Sequence, residues 1–150
     1  MLYFVAGGDS MNEIAQLLND GEYSKVYEKL LCMKEAFVQD TYSLEFFCGQ
    51  HLNSVNVEKK FAYFNYALAR KESVEIHLFI GLYLLYGDYL FDDIHTVINW
   101  HFRRAIEISN NNPKVLREIL THYKDHPDSP FSKEEIKNYE RTLKSNESII

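Results

Sequence analysis

From Ile14 to Leu143, apolar side chains return every three or four residues, the spacing that places them on one face of an α-helix. No pair of alternating segments joined by a turn signal marks a hairpin. Only three prolines and six glycines interrupt 150 residues, so long stretches are free to be helical. The chain therefore has to fold by packing helices on helices, and its length suits one domain with a sizeable core. Apolar residues make up 46% and charged residues 25% of it, enough buried surface to offset the entropy of ordering.

Local signals divide the chain into about eight helices. Residues 1–10 read as an N-terminal tail. Ser10, with Glu13 three residues on, predicts a capped helix over 11–19, and Asp20-Gly21 turns the chain. A second helix is predicted over 22–38, with Tyr23, Val26, Tyr27, Leu30, Met33 and Phe37 at helical spacing. Ser43 is placed to cap a third over 44–53, and a fourth over 57–71 presents Phe61, Phe64, Ala67 and Leu68. The fifth, over 74–86 behind Ser73, is apolar nearly all round and so is expected at the centre of the domain. A sixth follows over 92–109 and is stopped by Asn110-Asn111-Asn112-Pro113, which opens a seventh over 113–124. After the His126–Pro130 loop, Ser132 and Glu135 stand at capping-box spacing before a last helix, 132–145, with a thin stripe of Ile136, Tyr139, Glu140 and Leu143. Short connections of this kind join antiparallel neighbours.

The chain also resembles itself. Phe46-Phe47-Cys48-Gly49 is echoed by Leu78-Phe79-Ile80-Gly81, and Tyr63-Phe64-Asn65-Tyr66-Ala67-Leu68 by His101-Phe102-Arg103-Arg104-Ala105-Ile106. Gly21-Glu22-Tyr23 and Gly87-Asp88-Tyr89 repeat a turn. In these features the chain resembles the tetratricopeptide and Sel1-like helical repeats, over 11–124. There a small residue on the first helix of a pair meets an aromatic on the second, followed three residues later by Ala. Gly49 with Phe64 and Ala67 fits that pattern, and so does Gly81 with Phe102 and Ala105. Lys60 and Ile98 depart from it, standing where the family places a small residue, and Trp100 is one position from the Sel1-like Trp. The resemblance implies an all-α fold of antiparallel helix pairs stacked as a short superhelix, closed by the last helix as a cap. It also implies that the first helix of each pair lines a ligand groove, nominating Phe46, Gln50 and Asn53 from one pair and Leu78, Leu82 and Tyr86 from the next.

The formal charge of −6 is uneven: eight acidic residues against three basic in 1–50, six against four in 51–100, eight against nine in 101–150. An acidic N-terminal half disfavours a phosphate backbone and suits a cationic protein, with Asp9, Glu13, Asp20 and Glu22 as candidate steering residues. Arg103, Arg104, Lys114 and Arg117 form the one basic concentration; beside Trp100 they could grip RNA or an acidic peptide, although basic residues late in helices commonly complement the dipole. Cys32 and Cys48 both fall in apolar helical patterns and are expected to be buried free thiols in a reducing compartment. The opening apolar stretch lacks the basic region of a signal peptide, and no apolar run has spanning length, so a cytoplasmic location is expected and no membrane partner.

Catalytic and cofactor signals are weak. His122 and His126 share a helix face, but Pro127 ends the helix and no third ligand has family spacing, so no metal site is expected. His51, His77, His95 and His101 lie near no recognised nucleophile, and Asp92-Asp93 and Glu134-Glu135 sit at helix starts, where they suit the dipole. The expected role is a non-catalytic protein-binding module without cofactors. A stand-alone acidic helical domain of this size suits a bacterial immunity protein that neutralises a toxin. Its alternatives are a tetratricopeptide-type secretion chaperone holding a secreted client, or a scaffold. An RNA-binding protein and an uncharacterised enzyme are the readings of another class, and a homodimer is the other assembly open to the chain.

Overall fold

The computed structural model describes residues 8–36, 52–87 and 92–147. Among them are seven α-helices and no strand: α1 (Gly8–Asn19), α2 (Tyr23–Ala36), α3 (Val57–Arg70), α4 (Val74–Tyr86), α5 (Ile94–Ile108), α6 (Pro113–Tyr123) and α7 (Lys133–Glu147). The predicted helix over 44–53 lies almost wholly outside the described residues. The all-helical expectation holds, and α3 to α6 begin and end within two residues of their predicted bounds. None of these helices is long and apolar enough to cross a membrane. The chain falls into two compact units, Met1–Glu72 and Ser73–Ile150.

In the first unit, α1 and α2 form a hairpin closed by Asp20-Gly21-Glu22. Gly21 takes φ +73°, so the Glu22 N–H reaches the Leu17 carbonyl at 2.9 Å and the Gly21 N–H the Leu18 carbonyl at 3.1 Å. This is the left-handed C-terminal stop that glycine adopts without steric cost. Ile14 and Leu18 of α1 meet Val26 and Leu30 of α2 as fully buried core, with Tyr63, Phe64 and Ala67 supplied by α3. Tyr23 lies 6.3 Å from Tyr63 and 6.2 Å from Tyr66, ring centre to ring centre, tying α2 to α3. The Asn56 side chain caps α3 by accepting from the Lys59 N–H at 3.0 Å.

Two expectations fail here. Helix α1 starts at Gly8, so Ser10 lies inside its first turn rather than at its cap. Cys32 is exposed, not buried. It sits two positions beyond the buried Leu30, about 200° round α2, on the stripe with Lys25, Glu28 and Lys29 that lines a solvent-open groove beside α1. Leu31 is likewise 42% exposed. Cys48 lies outside the described residues.

The second unit is organised by α4 and α5. The Ser73 hydroxyl opens α4, accepting from the Ile76 N–H at 3.2 Å. Ile76, His77, Phe79, Ile80, Gly81, Tyr83 and Leu84 are then buried, more than half of this helix, as its all-round apolar sequence requires. Facing it, α5 buries Ile98, His101, Phe102, Ala105 and Ile106. They pack tightly at Gly81, where an added Cβ would stand 2.3 Å from Phe102 Cε1 and 2.7 Å from its Cδ1. This is the small-residue contact that the Gly81, Phe102 and Ala105 spacing predicts.

Asn110 and Asn111 end α5 with φ of 52° and 57°. The Asn111 N–H bonds the Ile106 carbonyl at 3.0 Å, the same stop as at Gly21 but built from the residue type that next best tolerates that conformation. Asn112 caps α6, and Pro113 takes its first turn. Before α7, the Ser132 N–H donates to Glu135 Oε2 at 2.7 Å while the Glu135 N–H donates to the Ser132 hydroxyl at 3.1 Å, the predicted reciprocal box. No residue of α7 is fully buried; Ile136, Tyr139, Glu140 and Leu143 are half-buried, as a thin covering stripe would be.

Gly81→Ala is expected to destabilise the chain by about 1–3 kcal/mol, because the completely buried Phe102 ring has no room to withdraw. Urea unfolding of Gly81→Ala alone and in a Phe102→Leu background checks this. The glycine penalty should shrink once the ring is trimmed, and equal penalties would show that the contact is not the cause.

Candidate functional site

Of the contact residues named from the sequence, Phe46 and Gln50 lie outside the described residues. Asn53 is exposed in the turn before α3, in the first unit. Leu78, Leu82 and Tyr86 lie on one stripe of α4, in the second. Leu78 and Leu82 are half-buried, and Tyr86 is 59% exposed. The acidic set is partly spent within the chain. Glu13 pairs with Lys29 at 2.8 Å and Glu22 with Lys25 at 3.4 Å, while Asp20 accepts from the Gln16 amide at 2.9 Å. Asp9 lies in the first turn of α1. Glu13 and Lys29 border a groove of about 500 Å³ along α1 and α2, floored by Ile14, Leu17 and Met33.

Sequence reasoning undervalued Trp100. It is 56% exposed on α5, two positions past Ile98 and two before Phe102, both buried. That angular position is the signal that would have found it. Its indole is held edge-on by His77 at 5.3 Å and by His101 at 4.8 Å, ring centre to ring centre. Tyr86 is pinned in the same way: its ring meets His122 edge-on at 5.4 Å, its hydroxyl bonds His122 Nδ1, and His122 Nε2 faces Glu118 at 3.4 Å. Each exposed aromatic thus packs edge-on against a neighbouring imidazole.

Behind Trp100, His77 and His101 form a buried pair with their Nδ1 atoms 2.8 Å apart. Such a contact requires one ring to carry its proton on Nδ1 and the other to accept there. Burial, and secondly the charge that His77 would add, push His101 down to about 4.

The basic concentration is engaged within the chain. Arg103 donates to Glu135 Oε1 at 2.9 Å and to the Pro130 carbonyl at 2.8 Å, and its guanidinium lies over the Phe131 ring at 5.1 Å. Arg104 pairs with Glu107 at 2.8 Å and Arg117 with Glu147 at 3.0 Å; Lys114 is exposed. The Arg103 bond holds the Glu135 carboxyl below its ordinary value, helped by the Ser132 N–H.

At the start of α5, His95 meets the loop after α6. Its Nε2 is 3.4 Å from Asp128 Oδ2, and His126 Nδ1 is 3.9 Å from the same oxygen. Tyr123, fully buried, donates from its hydroxyl to the Asp128 carbonyl at 2.9 Å and lies 3.2 Å from His95 Nδ1. Burial first, and the Asp128 charge second, push that phenol up to about 12. The sequence placed His126 with His122. The structure gives the two different partners.

His101 sets a pH dependence. It is neutral in the folded chain down to about 4 but takes up a proton near 6.5 when unfolded. Between those values the unfolded state binds more protons, so stability is complete above 6.5 and falls as the pH drops towards 4, by roughly 3 kcal/mol at about 1.36 kcal/mol per unit. Glu135 acts in a lower window, since its depressed value removes stability only as pH falls below about 4.5. Urea midpoints of wild type and His101→Gln between pH 4.5 and 7 test this: the wild-type slope should flatten in the variant, and parallel slopes would assign the acid sensitivity elsewhere.

Comparison with known families, with curated proteins and with solved structures finds no match to this chain.

Proposed function

We propose that this chain is a non-catalytic module that binds another protein, using Trp100 of α5 and the Leu78–Leu82–Tyr86 stripe of α4. The observation that carries the reading is the exposure of one Trp and one Tyr, each packed edge-on against a histidine. Large aromatics left in water yet held rigid lose little entropy on binding and present much contact area, the character of residues that dominate protein interfaces. The displaced titratable groups are accounted for by burial at His101, Tyr123 and Tyr139 and by the Arg103 hydrogen bond, with the Ser132 N–H, at Glu135, which favours a binding role over acid–base chemistry.

The partner is proposed to be cationic. The net charge of −6 draws a basic protein, whereas Arg103, Arg104 and Arg117 are already paired to carboxylates of the chain. In its narrower form the proposal is an immunity-type role, covering a basic toxin domain, with a chaperone for a secreted client as the alternative. The Gly81–Phe102 approach and the buried Ala67 and Ala105 support assigning the helix pairs to the tetratricopeptide or Sel1-like architecture. An exposed free thiol at Cys32 suits a reducing, cytoplasmic setting.

Trp100→Ala and Tyr86→Ala are each expected to weaken binding by about 2 kcal/mol or more, roughly 30-fold, while the melting temperature moves little. The measurement is recovery of partners from the native host by wild-type and variant chains, followed by titration of the recovered protein. A partner retained at full affinity by both variants would refute this surface; a nuclease-like basic partner supports the immunity form, and an extended secreted client the chaperone.

A further inference from the structure

We propose that His95, His126 and Asp128 form a binding site for a divalent zinc ion, linking the start of α5 to the loop after α6. One donor atom from each of the three lies within 4.8 Å of the others. Around a tetrahedral ion with bonds of about 2.0–2.2 Å, donor atoms stand about 3.3–3.5 Å apart. The 3.4 Å from His95 Nε2 to Asp128 Oδ2 already matches, and the 3.9 Å from His126 Nδ1 needs a contraction of about half an ångström.

Protonation at His95 is decided by its neighbour. The single Tyr123 hydroxyl proton is given to the Asp128 carbonyl, so towards His95 Nδ1, 3.2 Å away, that oxygen can only accept. Neutral His95 therefore carries its proton on Nδ1 and turns the bare lone pair of Nε2 towards a carboxylate oxygen. Two acceptors 3.4 Å apart are joined either by a proton, as an ion pair, or by a metal cation lying to one side on which both lone pairs converge. An imidazole whose remote nitrogen donates to a fixed oxygen is also how metal-binding histidines are oriented. At His126, the Nδ1 lone pair receives the Asp128 N–H at 3.2 Å. The ion takes that lone pair over, and the amide, in an exposed loop, turns to water.

Two imidazole nitrogens and one carboxylate oxygen suit zinc, and the exposed Asp128 opens the site to solvent. Three protein donors leave a fourth position for water or a donor from a partner. The proposal stands on this geometry alone and does not depend on the protein-binding role.

The test is calorimetric titration of the chelator-stripped full chain with zinc chloride at pH 7, with melting curves alongside. The expected result is one ion per chain at micromolar affinity or better and a higher melting temperature with zinc. His95→Ala and Asp128→Asn should each weaken binding by about tenfold or more, Tyr123→Phe by about tenfold through loss of the tautomer lock, and His122→Ala not at all. Far-UV circular dichroism of the metal-free variants separates a lost site from a lost fold; Asp128, being exposed, is the variant that keeps the question open if His95→Ala unfolds. Absence of binding below about 1 mM zinc would leave His95 and Asp128 an ion pair only and overturn the proposal. Affinity unchanged in Asp128→Asn, or lost in His122→Ala, would overturn it equally.

Discussion

The Phe102 ring occupies the space that any side chain at position 81 would need, and the second unit is arranged around that contact. Because glycine lets the backbone of α4 come within reach of the ring, α4 and α5 pack along their apolar faces rather than across a gap. The same register sets His77 against His101 and turns Trp100 outward. On its other side, Phe102 meets Tyr123 edge-on at 5.3 Å. Tyr123 in turn holds Asp128 and His95. One line of buried aromatic contact therefore runs from Gly81 to the histidine–carboxylate cluster, so the cluster's geometry depends on packing two helices away.

What could be read from the sequence follows from the range over which each signal acts. The Ser73, Asn112 and Ser132–Glu135 helix starts, and the stops at Gly21 and Asn110, depend on groups no more than a few residues apart. Those were legible, except at Ser10, where a plausible cap was overtaken by a helix that starts three residues earlier, at Gly8. Gly81 with Phe102 was legible for a different reason: a close approach between backbones leaves a compositional trace, a small residue facing a large one. The cluster of His95, His126 and Asp128 left no such trace, because its members are brought together by the packing of α5 on α6. A four-residue spacing suggested His122 and His126 instead, but α6 ends at Tyr123, leaving His126 in the loop before Pro127, while His122 stays on α6, where it meets Tyr86 of α4 and Glu118. Cys32 was misplaced because apolarity was counted without its angle; Trp100, read by angle, belongs outside.

Charge patterning behaves similarly. The concentration of Arg103, Arg104 and Arg117 looks in sequence like a surface offered to an anion, yet folding supplies each guanidinium with a carboxylate, one from the same helix and two from α7. Exposed pairs of this sort stabilise a fold by only about 0–1 kcal/mol each. Their larger consequence is what they remove: an arginine already bonded to Glu135 and Pro130 must give up those partners before gripping a phosphate.

The pairing separates two electrostatic effects that the sequence runs together. Until it comes within a Debye length of about 8 Å a partner is screened from the chain; as it approaches inside that distance it first senses the net charge, which internal ion pairs leave at −6. At contact it senses individual groups, and there Glu13 and Glu22 already hold Lys29 and Lys25. Attraction of a basic protein can therefore survive neutralisation of any one acidic side chain, while the strength of the final complex has to come from elsewhere. The solvent-facing rings of Trp100 and Tyr86 still offer apolar area beyond what their imidazole neighbours cover. In the proposed binding role, speed of encounter and tightness of grip therefore fall to different parts of the surface, the first to the summed charge and the second to two aromatic side chains in contact with histidines.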